Sequence, residues 1–141
     1  TVSYYGYGPM ESYRDKHRAA SHGRYTANVA ELHEDYIRPQ ENGSHFDCDY
    51  VEVSGNQVGF AAISAPGCRF SFNASVYTQE ELEKKAHNFE LERSGSTVLC
   101  LDYALNGIGS NSCGPEVMEK YRFDETRFRF QFSLVPYVKE P

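Results

Sequence analysis

The stretch GIGSNSCGPEV, residues 107–117, combines residue types that could bind a phosphate or attack a carbonyl. Its glycines are spaced as in a phosphate-binding loop, and Cys113 lies among small polar residues. A phosphate loop needs a helix N-terminus behind it, and no helix is predicted to begin at Gly107. A catalytic thiol needs a base beside it, and no histidine is close in sequence. With Pro115 following, the stretch is predicted to be a loop that joins two strands.

Three carboxylates could also suggest chemistry, because Glu34, Asp35 and Glu41 are close together in the chain. Acidic residues in a loop are usually solvated, so we predict an ordinary surface there. The five histidines are scattered along the sequence and form no recognisable acid–base pair: His17, His22, His33, His45 and His87.

The stretch RPQENG, residues 38–43, is a second notable loop. Asn42 followed by Gly43 is a turn signal, and Pro39 restricts the approach to it. We expect a structural role for this loop, in which Glu41 accepts hydrogen bonds from local amides or reaches a neighbouring domain.

The four cysteines are Cys48, Cys68, Cys100 and Cys113. Their spacing contains no C-x-x-C element and does not predict a zinc site. Cys48 and Cys100 fall in strand-like runs, where a buried cysteine behaves as a small apolar residue. We therefore expect four free thiols.

Charge and hydropathy exclude two classes of partner. The chain has 141 residues and a formal charge of −6, with no long basic run, so a nucleic-acid footprint is not expected. No apolar run approaches the ~18 residues of a membrane span. The chain begins at Thr1, and TVSYYGYGPM lacks the charged start and apolar middle of a signal peptide. We expect a processed or excised piece of a protein.

Alternating apolar residues predict mostly strands. In RFRFQFSLVP, residues 127–136, the apolar side chains point one way, which predicts a half-buried antiparallel strand ended by Pro136. STVLCLDYAL, residues 96–105, is apolar on both faces and predicts a central strand. Further strand candidates are GRYTANV (23–29), FDCDYVEV (46–53), QVGFAAIS (57–64) and CRFSFNAS (68–75), with a tight turn at Gly55 and Asn56.

One short helix is predicted near residues 78–87, about ten residues long. Thr78 occupies the N-cap position and Glu81 lies three residues later, which is the spacing of a capping box. Leu82 and Ala86 would share its buried face. Many short strands and one helix predict a single all-β domain over residues 1–141, built as an antiparallel β-sandwich.

Five ordered segments carry a resemblance that covers nearly the whole chain: YYGYGPMESYRDK (4–16), YIRPQENGSH (36–45), FSFNASVYTQEELEKKAHNFEL (70–91), VLCLDYALNGIGSNSCGP (98–115) and FRFQFSLVP (128–136). Together they resemble the C-terminal end of the large bacterial β-galactosidases of glycoside hydrolase family 2. The resemblance implies a multidomain retaining glycosidase that hydrolyses terminal β-D-galactosides. This chain is similar to the second half of its terminal sandwich, which is related in shape to galactose mutarotase.

The resemblance also implies where the chemistry lies. The catalytic carboxylate pair of this family sits on a (β/α)₈ barrel, and the Mg and Na ions are bound on other domains. The resemblance therefore implies no catalytic residue and no metal ligand in this chain. The stretch at residues 109–114 corresponds to a loop that reaches the mouth of the barrel. Cys113 stands where a sugar-stacking tryptophan is often found, which leaves a small polar rim of Asn111, Ser112, Cys113 and Gly114 on the aglycone side. The implied partners are the remaining domains and the β-galactoside substrate.

Two other functions stay open at this point. An autonomous carbohydrate-binding module could use exposed aromatics such as Tyr4, Tyr5 and Tyr7, although these tyrosines could equally be strand residues that pack on the missing half of the sandwich. A mutarotase-like epimerase would share the sandwich shape. The resemblance further implies a bacterial cytoplasmic location, and it leaves homo-oligomeric assembly open.

Overall fold

The computed structural model describes residues 1–107 and 116–139. These residues form eight strands, one α-helix and three short 3₁₀ turns. The strands are β1 (Val2–Gly8), β2 (Ser21–Ala27), β3 (His45–Cys48), β4 (Tyr50–Ser54), β5 (Val58–Ser64), β6 (Phe70–Ser75), β7 (Val98–Asp102) and β8 (Phe132–Val138). The helix is α1 (Gln79–Lys84), and the 3₁₀ turns are Val29–Leu32, Asn88–Glu90 and Glu119–Tyr121.

Two antiparallel sheets pack face to face, which confirms the prediction of an all-β sandwich. One sheet has the strand order β2-β1-β4-β5-β8, and the other has the order β3-β6-β7. The prediction that residues 96–105 form a central strand is wrong. Within the described residues β7 is at the edge of the smaller sheet, and its side chains are only half-buried.

The core lies between the sheets and is centred on aromatic rings. Tyr4 is 1 % exposed, and its ring contacts those of His45 and Phe72 at centroid distances of 4.4 and 5.1 Å. His45 donates from Nδ1 to the carbonyl of Tyr7 at 3.1 Å. Burial lowers the pKa of His45 to about 4, so the core contains a neutral imidazole at physiological pH.

Pro136 does not end the last strand, contrary to the sequence-based prediction. Residues 128–131 are not strand, and β8 begins at Phe132 and continues through the proline. Pro136 lies opposite Phe60. At the two ends of the β5–β8 pair, Lys139 donates its N–H to the carbonyl of Gln57, and Ala65 donates its N–H to the carbonyl of Gln131. Hydrogen-bonded and non-hydrogen-bonded pairs alternate along an antiparallel ladder, so the hydrogen-bonded pairs fall on the odd-numbered residues of β8. The nitrogen of Pro136 therefore points away from β5, where a missing N–H breaks no ladder bond.

The helix is real but shorter than predicted. Thr78 Oγ1 accepts a hydrogen bond from the backbone N–H of Glu81 at 3.1 Å, which is the predicted N-cap contact. The helix ends after Lys84 because the next turn has its own cap: the Glu90 carboxylate accepts from the N–H groups of Ala86 and His87. Ala86 is consequently exposed and does not share the buried face of Leu82.

The larger sheet extends beyond the smaller one. Register places Val58, Leu134 and Val138 on the same side of the sheet as the fully buried Ala62, which faces the core. These three side chains are nevertheless 60, 59 and 74 % exposed. Part of the core-facing apolar surface at β5 and β8, which we call the uncovered inner face, therefore lacks a covering layer in the described structure.

Candidate functional site

The structure holds both flanks of the segment 108–115 firmly. Arg14 donates its backbone N–H to the carbonyl of Leu105 at 3.1 Å, and Gly107 donates its N–H to Asp15 Oδ1 at 2.8 Å. Asn106 donates its side-chain amide to the carbonyl of Tyr121 at 3.2 Å, which joins the two flanks. We call residues 105–107, with these partners, the loop base.

Gly107 is required at the loop base by close approach. A Cβ atom at this position would lie 2.5 Å from the ring of Tyr13, a distance that no side chain tolerates. Tyr13 is itself buried, so the ring has little room to move away. The position of Gly107 therefore depends on the segment around Tyr13.

Glu11 fixes the segment around Tyr13. Its Oε2 accepts hydrogen bonds from the Tyr13 hydroxyl at 2.9 Å and from the Gly43 N–H at 3.0 Å. Its Oε1 accepts from Lys16 Nζ at 2.7 Å and from the hydroxyl of Tyr36. One carboxylate thus ties together three parts of the chain that are remote in sequence.

Glu11 stays ionised although its side chain is only 5 % exposed. Burial alone raises the pKa of this carboxyl, but the hydrogen bonds from Lys16, Tyr36, Gly43 and Tyr13 outweigh it and leave the pKa below its usual value. Both oxygens are occupied by the protein itself. The carboxylate is therefore a structural node, and no free lone pair remains for catalysis.

The loop at residues 38–43 is built around the same node. Asn42 is 8 % exposed; it accepts the N–H of Glu34 at 2.9 Å and donates to the carbonyl of Gln40 at 2.8 Å. Gly43 has φ +70°, and a Cβ there would lie 2.4 Å from the carbonyl oxygen of Leu32. The turn therefore requires glycine.

The carboxylates singled out by sequence do not form a site. Glu34, Asp35 and Glu41 are all exposed. Glu41 Oε1 accepts hydrogen bonds from Asn73 at 3.1 Å and Gln79 at 3.3 Å, which links the 38–43 loop to β6 and α1.

A carboxylate that the sequence analysis did not select, Asp102, lies beside Glu41. It lines a small cavity with Arg38, Gln79 and Cys100. Its Oδ2 atom is buried and accepts no hydrogen bond from the residues the structure describes. Burial, aided by the nearby Glu41 charge, raises the pKa of Asp102 to about 6.

Asp102→Asn is expected to stabilise the fold at neutral pH. The pKa of Asp102 rises from 3.8 in the unfolded chain to about 6 in the folded one. Between pH 3.8 and pH 6 the folded state therefore binds more protons than the unfolded state, so the contribution of Asp102 to stability falls as the pH increases through this range. Allowing for solvent screening, the charged form costs about 1–2 kcal/mol above pH 6. Urea denaturation from pH 4 to pH 8 measures the effect as the difference between wild type and variant.

The matched control is Glu83→Gln, which alters an exposed carboxylate at the rim of the same cavity. Its free energy of unfolding should differ from that of wild type by no more than about 0.5 kcal/mol, as for an ordinary surface substitution. A gain for Asp102→Asn at pH 8 no larger than the change for Glu83→Gln would mean that the charge on Asp102 costs nothing.

The histidines are less scattered in space than in sequence. His17 and His22 both contact the ring of Tyr7, at centroid distances of 5.2 Å each. Of the two alternatives for Tyr4, an exposed ring or a packed strand residue, the structure shows the second, because strand alternation turns Tyr4 into the core. Tyr5, on the opposite face, is 37 % exposed.

Cys48, Cys68 and Cys100 are free thiols. Cys48 is fully buried, as expected of a cysteine that packs like a small apolar residue. In residues 1–107 and 116–139 no group of three or more His, Cys, Asp or Glu side chains is placed to hold a metal ion. The same residues contain no helix that is long and apolar enough to cross a membrane. The remaining predicted site residues, Asn111, Ser112, Cys113 and Gly114, lie outside the described residues.

Fold and site together define an all-β sandwich module that fixes the two flanks of the segment 108–115. The family described as beta galactosidase small chain matches residues 1–134. The chain belongs to this family, as the resemblance predicted.

Curated relatives give the same result. The chain is 49 % identical over 135 residues to a β-galactosidase of Actinobacillus pleuropneumoniae, covering 96 % of the chain and 13 % of the relative. It is 41 % identical to one of Staphylococcus xylosus, covering 94 % and 13 %, and 36 % identical to one of Kluyveromyces lactis, covering 92 % and 12 %. The chain thus spans about an eighth of the length of these relatives.

Proposed function

We propose that this chain is the non-catalytic C-terminal part of a β-galactosidase, in which it shapes the entrance to an active site carried by other domains. The observation that carries the proposal is the loop base, where hydrogen bonds at Leu105, Asn106 and Gly107 hold the chain on both sides of residues 108–115. Such rigid flanks are what a loop needs if it is to place side chains at a distant site.

In this proposal the segment 109–114 contacts the aglycone side of the substrate through Asn111, Ser112, Cys113 and Gly114. The amide and hydroxyl groups among them can donate to and accept from sugar hydroxyls. Cys113 offers no flat ring, so the contact is polar rather than stacked.

The second part of the proposed role is assembly with the remaining domains of the parent enzyme. The uncovered inner face supports it, because a core-facing apolar surface at Val58, Leu134 and Val138 is costly in water. The relatives contain about eight times the length of this chain, which is ample to supply the missing layer. If the parent enzyme forms a homo-oligomer, each subunit contains one such face.

The proposal leaves the hydrolysis of terminal β-D-galactosides to the parent enzyme. Retaining glycosidases need two carboxyl groups ~5 Å apart that are free to act on the substrate. Glu11 is occupied by its own protein partners, and we assign neither a catalytic residue nor an ion to this chain. Any Mg or Na ion, and the catalytic pair, belong to the other domains, and the enzyme acts in the bacterial cytoplasm.

Cys113→Trp in the full-length enzyme tests this function. A ring at the aglycone side should tighten inhibitors that carry an aromatic aglycone by about 1–3 kcal/mol, by analogy with stacking on bases. It should leave inhibition by free galactose unchanged, because the catalytic groups lie elsewhere. Inhibition constants for a series with and without aromatic aglycones give the comparison.

Ser96→Trp serves as the control, since it adds the same ring at an exposed position in another loop. The entrance role is refuted if the two variants behave alike, or if all inhibitors respond equally to Cys113→Trp.

A further inference from the structure

A broad groove of the described structure lies next to the loop base. Its walls are the corner between β3 and β4, the turn between β5 and β6, and Tyr103 with Ala104, which lead from β7 toward Gly107. The groove has no role in the proposal above.

The described residues that line this groove include equal numbers of positively and negatively charged side chains. Arg69 bridges two carboxylates, with Nε 3.0 Å from Asp49 Oδ1 and Nη1 3.1 Å from Asp47 Oδ2. Arg14 pairs with Glu125 on the opposite wall. Among the described residues, three lining arginines, Arg14, Arg69 and Arg129, balance three lining carboxylates, Asp47, Asp49 and Glu125. A charged ligand therefore gains no net attraction here.

Asp49 and Arg69 can each form hydrogen bonds beyond those of the bridge. The Asp49 side chain is 35 % exposed, and although its Oδ2 atom is closed off from solvent, Oδ1 accepts the hydrogen bond of Arg69 Nε and, as a carboxylate oxygen, can accept a second one. Arg69 uses two of its N–H groups on the carboxylates, and its side chain is 46 % exposed. An acceptor and donors thus stand side by side, which is the arrangement that a hydroxyl satisfies because it both donates and accepts.

Backbone geometry creates this arrangement. Asp47 has φ +56°, which is unusual for a residue other than glycine, and it lies in a register irregularity between His45 and Cys48. Such a bulge redirects side chains at a sheet rim, and here both Asp47 and Asp49 reach Arg69. Three aromatic side chains also line the groove, namely Phe46, Tyr50 and Tyr103.

We propose that this groove binds a neutral oligosaccharide, with Asp49 and Arg69 holding hydroxyls and the aromatic walls contacting the apolar faces of the sugar rings. The balance of charge, the paired donors and acceptor and the aromatic walls all match such a ligand. The proposal rests on the function proposed above in one respect: it gives the enzyme a second saccharide contact beside the entrance.

The experiment uses the full-length enzyme and a thio-linked β-galactotriose, which resists hydrolysis. Isopropyl thio-β-galactoside at saturating concentration occupies the catalytic site, and calorimetry measures the remaining binding of the trisaccharide. Wild type should bind it, and Asp49→Asn and Arg69→Gln should each weaken binding about tenfold, as expected for the loss of a hydrogen bond to a charged group. Arg93→Gln, at an exposed position outside the groove, is the matched control.

Hydrogen exchange on the wild-type enzyme provides a readout that does not depend on variants. The trisaccharide should protect residues 46–50 and 64–69 while the catalytic site stays occupied. Absence of residual binding, protection confined to other segments, or equal binding by Asp49→Asn and Arg93→Gln would overturn the groove proposal. Failure of the protein to bind isopropyl thio-β-galactoside would instead overturn the proposed function.

Discussion

Glu11→Ala is expected to lower the free energy of unfolding by about 3–5 kcal/mol, because it leaves buried polar groups without a hydrogen-bond partner. The Tyr13 hydroxyl and the Gly43 N–H both lose their acceptor in a buried environment. Lys16 and Tyr36 lose the same partner near the surface. Urea denaturation monitored by circular dichroism would measure the change.

Glu34→Ala is the control, since Glu34 is exposed and nearby in the same region of the fold. Its cost should stay within about 0.5 kcal/mol, as for an ordinary surface substitution. A loss at Glu11 no larger than that at Glu34 would show that the node does not hold these segments together. In the full-length enzyme, Glu11→Ala should also disturb the loop base through Tyr13, so the inhibition constants for aromatic aglycones should change as well.

Gly43→Ala is expected to cost about 2–5 kcal/mol, because it combines two penalties. A non-glycine residue at φ +70° carries about 1–2 kcal/mol of backbone strain. The new Cβ also meets the backbone oxygen of Leu32 at 2.4 Å, and the shift needed to relieve an overpacked contact adds about 1–3 kcal/mol. Chemical denaturation again provides the measurement.

Gly95→Ala separates the two penalties. Gly95 has φ +80°, but a Cβ there would meet nothing within 4 Å. It should therefore show the backbone strain alone. Equal losses at the two glycines would mean that the contact with Leu32 relaxes freely and that the turn tolerates a side chain.

Local patterns were sufficient to predict most of the architecture. The alternation in residues 68–75 corresponds to β6, and the capping signal at Thr78 corresponds to the start of α1. The turn at Gly55 and Asn56 joins β4 to β5. These features depend on neighbours a few residues away, which a sequence pattern records directly.

Features that depend on distant partners were missed. Glu11 looks like an ordinary polar residue in a loop, and its four donors come from positions 13, 16, 36 and 43. The sequence left β1 open, as either strand residues or exposed sugar-stacking tyrosines, because its tyrosines and glycines do not separate into an apolar and a polar face. The ion pairs of Arg69 likewise form only when β3, β4 and β6 are assembled.

The orientation of Pro136 limits how another polypeptide can join this sandwich. Its nitrogen faces the outer edge of β8, so an added strand would lack one donor in the middle of its ladder. The side chains of Leu134 and Val138 remain open on the inner side of the same strand. A neighbouring domain is therefore expected to lie across the sheet as a new layer and not to lengthen it, and the same proline protects an isolated chain against stacking edge to edge into fibres.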